Sequence, residues 1–224
     1  MHELLVPAAG GVAASLAWLR WRFRVALRPA SVGPRVGDKV QLPPLDDADG
    51  RTRHWRDVRG EHGTVLVFMA NRCPGVKAYD GRLAALLDEF APRGVRVVGL
   101  NPVDEHLYPS ESPADMRAAA AERGLRFAYL KDADQEAMRA LDARCTPQAF
   151  LVDGRDVLRY HGRIDDAFVE ADVRRRYLRD AILDVLAGRD VAKPFTMSLG
   201  CSVDRIDRSG ATPRRAAQSP GLGT

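Results

Sequence analysis

Apolar and polar positions divide this chain into short runs whose period changes along its length. Residues 64–69 (TVLVFM) and 95–100 (VRVVGL) are valine-rich and of strand length, which predicts strands buried on both faces. Between them Val76, Leu83, Leu86, Leu87 and Phe90 recur at helical spacing until Pro92 and Gly94 stop the pattern. A polar loop with Pro102, Pro109 and Pro113 follows the second run, then a strong helix former over 114–123 ended by Gly124. Residues 127–130 predict a short strand and 135–143 a short helix. Residues 150–152 and 157–160 flank Asp153-Gly154-Arg155-Asp156, a hairpin signal, and 173–187 predict a last amphipathic helix. Ahead of all these, the turn Asp47-Ala48-Asp49-Gly50 after Leu42 predicts a further hairpin. The order is β-α-β-α-β-α-β-β-α. Alternation in its first part demands parallel strands with crossover helices, and the late hairpin adds antiparallel ones. The expected class is therefore α/β, a mixed central sheet flanked by helices.

The two ends of the chain read differently. Residues 4–19 carry no charge, and Arg20, Arg22, Arg24 and Arg28 follow. Positive charge after the apolar run is the reverse of a secretory signal. The run is also short of the ~20 apolar residues of a spanning helix and contains Pro7 and Gly10-Gly11. It reads either as a membrane contact, lying at a surface or anchoring there, or as a loosely ordered extension. Pro29, Gly33, Pro34 and Gly37 mark a linker. The expected organisation is an N-terminal extension and linker over 1–34, one domain over 35–203, and a disordered tail over 204–224 rich in Arg, Ser, Gly and Pro.

Composition narrows the chemistry. The net charge of +4 is concentrated near the ends, and no aromatics interleave with the basic runs, so neither a nucleic-acid groove nor a stacking platform is expected. Three cysteines, Cys73, Cys145 and Cys201, do not make the disulfide framework of a small secreted domain, and none is spaced for a zinc knuckle. No metal and no cofactor is expected. An odd cysteine count suits a reducing compartment or a reactive thiol, so the expected location is cytoplasmic, with an N-terminally membrane-associated chain as the alternative.

Cys73 falls where the first buried run gives way to a helix, with Pro74 at the helix start. Unpaired N–H groups and the positive end of the helix dipole favour a thiolate there, so its pKa is expected below the free value of ~8.5. Arg72 and Lys77 add positive charge nearby. A populated and accessible thiolate is what attack on a disulfide or a peroxide needs. The opposing reading, a buried and inert small hydrophobe, is weakened by the strand-to-helix position.

FMANRCPGVK resembles the thioredoxin active-site segment F-W-A-x-W-C-G-P-C-K: Phe68, Ala70, Cys73 and Lys77 match, and Val76 stands where the second cysteine of that motif would be. The chain resembles more closely a bacterial, peroxiredoxin-like branch of the redoxin/AhpC-TSA family. It carries that branch's N-x-C-P-x-V-K at residues 71–77, Asn101, Tyr108-Pro109-Ser110-Glu111-Ser112, Cys145-Thr146-Pro147-Gln148-Ala149-Phe150, Gly162-Arg163-Ile164-Asp165-Asp166 and Gly200-Cys201-Ser202. The resemblance implies a thioredoxin-like fold with a cis Thr146–Pro147 step beside Cys73. It also implies a thiol-dependent oxidoreductase that reduces disulfides or peroxides through one nucleophilic cysteine, supplied by a thiol donor such as thioredoxin or a small thiol. Cys73, Lys77, Thr146 and Pro147 are the site residues it implies. Peroxiredoxins proper carry threonine or serine, and a proline four residues earlier, where this chain has Ala70 and Leu66.

Other residues stay open to two readings. Cys145 precedes the predicted cis-Pro loop and is either the resolving thiol or a core cysteine beneath that loop. Cys201 lies near the tail and either resolves Cys73, after swinging in, or pairs between chains, or packs as a plain small residue. His106 reads as solvated and His161 as structural, Asp165-Asp166 as caps, and Arg174-Arg175-Arg176 as a solvated helix face. A function of another class remains: a redox-inactive module that uses the cis-Pro groove to hold an extended peptide.

Overall fold

The structure, a computed structural model, describes residues 33–206. The apolar and basic N-terminal run, with its expected membrane contact, and the tail from residue 207 lie outside the described residues. Among the described residues no helix is long and apolar enough to cross a membrane.

Seven strands form one mixed sheet in the order β2-β1-β5-β4-β3-β7-β8. They are β1 (Leu45–Asp47), β2 (Thr52–Arg53), β3 (Gly63–Phe68), β4 (Val95–Asn101), β5 (Ala128–Lys131), β7 (Gln148–Asp153) and β8 (Leu158–Gly162). β3, β4 and β5 run parallel, while β7 pairs antiparallel with β3 and β8 with β7. β1 closes the other side antiparallel to β5 and makes the expected early hairpin with β2. A second, two-stranded sheet joins β6 (Cys145–Thr146) to β9 (Cys201–Ser202).

The apolar runs are continuous because both faces of the sheet are covered. Successive side chains point to opposite faces, so Leu66 and Phe68 of β3 enter one core with Val98, Leu100, Phe150 and Val152. Val65 and Val67 enter the other with Val95, Val97, Ala149 and Leu151. The first core is closed by Trp55 and Val58 of α1 (Trp55–Val58) and by Ala137 and Met138 of α5 (Glu136–Ala140). The second is closed by Leu83, Leu86 and Phe90 of α3 (Asp80–Phe90) and by Leu178, Ala181 and Ile182 of α6 (Tyr177–Leu186). Each fully buried Val, Leu, Ile, Phe or Met among them contributes ~1.5–3 kcal/mol of transfer free energy. The crossover between β4 and β5 carries α4 (Pro113–Glu122), whose N-cap Ser112 accepts the Asp115 N–H through its hydroxyl.

Two helices differ from the periodic expectation. The one after β3 is split into α2 (Pro74–Lys77) and α3. At the break the Tyr79 N–H bonds back to Val76, and the Tyr79 hydroxyl reaches into the core to Asp165. The last helix begins at Tyr177 rather than 173, because the Arg174 and Arg175 amides are taken by the Asp166 carboxylate. The three arginines thus lie ahead of that helix instead of on its face.

Candidate active site

Strand β3 delivers the chain into a turn at Ala70 that ends on Cys73, the N-cap of α2. The Cys73 backbone is extended, and its carbonyl accepts the Val76 and Lys77 N–H groups at 3.0 and 3.2 Å. Pro74 occupies the first helical turn, where a missing N–H leaves no bond unmade. The Cys73 side chain packs in a small cluster with Met69, Ala70, Val76, Met116 and Tyr129.

Two groups meet its sulfur. The Thr146 carbonyl oxygen is 3.1 Å away, and so is the sulfur of Cys201. This follows from the register of the small sheet, which sets Cys201 directly opposite Thr146. The Thr146–Pro147 peptide is cis, the isomer the resemblance implies. A Cβ added to Gly75 would stand 3.4 Å from the Pro147 ring and 3.6 Å from the Cys73 sulfur, so proline, glycine and thiol are mutual neighbours.

The Cys73 pKa is lowered to about 6. The Cys201 thiol, which can donate to a Cys73 thiolate, is the main cause; burial opposes it, and the Thr146 side chain and the Val76 and Cys201 backbone support it. Cys145 is the reverse case, its thiol pushed up to about 12 by burial and by the neighbouring Cys73.

The inner side of the Cys73 turn rests on a buried carboxylate. Glu111, 1% exposed, accepts the Asn71 N–H at 2.8 Å, the Arg72 N–H at 3.0 Å and the Asn101 side-chain amide at 2.9 Å. The Tyr129 hydroxyl donates to the Asn71 side chain, and the Lys131 ammonium donates to the Glu111 backbone carbonyl. Three elements that meet at the carboxyl ends of β3 and β4 are thereby tied to the residues just before the sulfur, the end of a parallel sheet where ligand sites gather.

The AhpC/TSA family model matches residues 36–161, more than half of the chain. The chain belongs to the AhpC/TSA family. It is 28% identical over 130 residues to the Mycobacterium tuberculosis protein named "Putative peroxiredoxin Rv2521", which spans 58% of this chain and 78% of that one. An uncharacterised conserved protein of Geobacillus kaustophilus superposes with a TM-score of 0.70 at 33% identity, covering 78% of this chain and 95% of its own. The Mycobacterium tuberculosis peroxidoxin BcpB shares the fold alone, with a TM-score of 0.54 at 18% identity over 69% of this chain and 97% of that one. The fold is thioredoxin-like, and the AhpC/TSA family to which the chain belongs is a redoxin, peroxiredoxin-like family of thiol oxidoreductases.

Within this AhpC/TSA chain the structure brings Cys73, Thr146 and Pro147 together. Lys77 lies on α2, but it is exposed. Two placements differ from expectation. The sulfur beside Cys73 belongs to Cys201, not Cys145, whose sulfur has the Gln148 side-chain oxygen 3.9 Å away. Cys201 does not swing in from a loose tail, because the β6–β9 pairing already holds it there. Cys73 is also less accessible than expected, 4% exposed, packed in its apolar cluster with the Cys201 sulfur in contact. Glu111 entered the sequence reading only as part of the motif at residues 108–112, with no role of its own. His106 is exposed, and His161 stacks on Phe150 and meets the Phe195 ring at a tilt. Asp165 accepts from buried Arg82 and Tyr79, so it ties a loop to α3 instead of capping a helix. Among the described residues no group of three or more His, Cys, Asp or Glu is placed to hold a metal ion.

Proposed function

We propose that this chain is a thiol-dependent oxidoreductase in which the Cys73 thiolate attacks the S–S bond of a disulfide or the O–O bond of a peroxide. A second thiol then releases the product, and a dithiol donor such as reduced thioredoxin, or a small thiol, restores the chain in a reducing compartment. The observation that carries this reading is the Cys73 sulfur itself, lowered to about 6 and set between the Thr146 carbonyl and a second thiol. At neutral pH such a sulfur is mostly ionised and nucleophilic.

Between the two acceptors, the surroundings favour the disulfide. Peroxide cleavage needs donors placed around the O–O bond. Ala70 brings no hydroxyl to the turn, and the Arg144 guanidinium is engaged by Asp142 at 2.8 Å. The direct test is steady-state turnover with dithiothreitol as donor and either hydroxyethyl disulfide or hydrogen peroxide as acceptor. The expected result is faster disulfide than peroxide reduction, with both abolished in Cys73→Ala. Turnover retained by Cys73→Ala would overturn the assignment, and a parent inactive with both acceptors would leave the peptide-binding reading in its place.

A further inference from the structure

We propose that Cys201 is the resolving thiol: it forms a disulfide with Cys73 and presents the sulfur that the external thiol donor attacks. This rests on Cys73 being the nucleophile. Sequence separation makes the pair unexpected, since the two residues are 128 apart. What joins them is a strap, residues 194–206, fastened on both sides of Cys201.

Upstream, the Pro194 carbonyl accepts the His161 N–H at 3.1 Å and the Thr196 N–H reaches the His161 carbonyl at 3.2 Å. The buried Thr196 hydroxyl lies 2.6 Å from the Tyr160 hydroxyl and accepts the Arg163 N–H at 2.8 Å. Downstream, the Val203 N–H bonds to the Arg144 carbonyl at 3.2 Å. The Asp204 carbonyl accepts from Gln135 at 2.7 Å, its carboxylate accepts from Tyr108 at 3.0 Å, and the Ile206 N–H bonds to Gln135 at 2.8 Å. Just before the thiol, Gly200 passes so near the cis-Pro loop that an added Cβ would lie 2.2 Å from the Thr146 carbonyl oxygen. Only a glycine lets the strap sit this low.

The geometry suits the chemistry. The two sulfurs, 3.1 Å apart, need to close by about 1 Å to reach a bond of ~2.05 Å. Cys73 is buried and Cys201 exposed. An exposed side chain changes rotamer within nanoseconds, so Cys201 can turn aside to admit a substrate and return without the strap moving. In the first step the Cys73 thiolate attacks one sulfur of a substrate disulfide, a mixed disulfide forms, and the other sulfur leaves as a thiolate. In the second the Cys201 thiol gives up its proton and attacks Cys73. The mixed disulfide breaks, and the substrate's second sulfur departs as a thiol. Two electrons have passed from the cysteine pair to the substrate. In the reset an external dithiol attacks Cys201 from solvent and expels Cys73, and its second thiol then frees Cys201, the donor becoming a disulfide. The donor reaches Cys201 first because Cys201 is the exposed sulfur of the pair and Cys73 the buried one. Cys145 has neither the contact nor a usable thiolate.

The test uses the full chain with the aromatic disulfide 5,5′-dithiobis(2-nitrobenzoate), followed by release of its chromophore and by intact-mass and peptide analysis. The parent should release two equivalents in the fast phase and end as a Cys73–Cys201 disulfide without adduct. Cys145→Ala should match it, whereas Cys201→Ala should release one equivalent and keep the adduct on Cys73. A parent that retains the adduct on Cys73, or forms a Cys73–Cys145 bond, overturns the role of Cys201 and leaves Cys73 as nucleophile. Fast release persisting in Cys73→Ala and lost in Cys201→Ala overturns the roles of both sulfurs, and with them the proposed function.

Discussion

Cys73 is held from two sides of opposite construction. Its inner side is a buried polar network, a carboxylate 1% exposed that binds two consecutive backbone amides. Its outer side is a strap whose central residues, Cys201 and Ser202, are exposed and are paired over only two positions. The inner network fixes where the sulfur is, and the outer strap fixes what the sulfur meets. A buried, fully bonded network is costly to break, because the groups left behind lose both partner and water. The strap has only two paired positions at its centre, yet it decides chemistry, because a sulfur displaced by an ångström no longer lies in line for exchange.

The largest difference between the two sides should appear in stability. Glu111→Ala leaves the Asn71 and Arg72 amides and the Asn101 side chain without their acceptor, at a cost of about 3 kcal/mol or more. Glu111→Gln keeps one acceptor oxygen but turns an N–H₂ toward a donor, and should fall between parent and alanine. Denaturant unfolding of the three proteins checks this order, and a Glu111→Ala loss below about 1 kcal/mol would show that water replaces the carboxylate.

Next comes a change in rate with little change in stability. Gly200→Val forces the strap away from the Thr146 carbonyl, so formation of the Cys73–Cys201 bond should slow by about a hundredfold while the melt of the domain barely moves. Quenched-flow alkylation of the remaining thiols measures it. A bond that still forms at the parent rate would mean that the strap is soft enough to bring Cys201 back.

The same comparison predicts a pH signature. Cys73 thiolate should appear through about pH 6 in the parent, and iodoacetamide alkylation of Cys73 should rise through that value. Cys201→Ala removes the largest cause of the lowering, so the inflection should move up toward the free value of ~8.5. Because the folded pKa lies below the unfolded one, the folded state binds fewer protons between the two. The contribution of Cys73 to the stability of the reduced protein is thus absent below about pH 6, grows with rising pH and is complete above the unfolded value. In Cys201→Ala that window should narrow. An inflection unchanged by the substitution would transfer the effect to the backbone amides and Thr146.

How much of this was legible in the sequence follows the same division. β3 and β4 could be read because a strand buried on two faces has no polar alternation to hide it. Cys73 could be read because strand, proline and helical spacing meet at one residue. The pairing of β6 with β9 could not, since two residues per strand carry no period. Glu111 was hidden for another reason. Its partners Asn71 and Arg72 lie about forty residues earlier in the chain, and nothing local distinguishes a carboxylate that will be buried from one that stays wet. The break at Tyr79 was hidden as well, since the Asp165 carboxylate that holds the Tyr79 hydroxyl is more remote still.

The smallest expected effect is at Cys145, and it sharpens the contrast because Cys145 and Cys201 lie on the two paired strands of one small sheet. Cys201 is exposed and touches the Cys73 sulfur, whereas Cys145 is half-buried, with its thiol pushed up to about 12. At neutral pH so little Cys145 thiolate exists that it cannot compete as a nucleophile, whatever its distance. Cys145→Ala removes one sulfur from a partly packed position and should cost no more than about 1 kcal/mol. Disulfide turnover, the alkylation inflection of Cys73 and the products of aromatic-disulfide challenge should all match the parent. Accumulation of over-oxidised Cys73 in Cys145→Ala under peroxide, with Cys201→Ala spared, would reverse the assignment and make the more buried strand the working one.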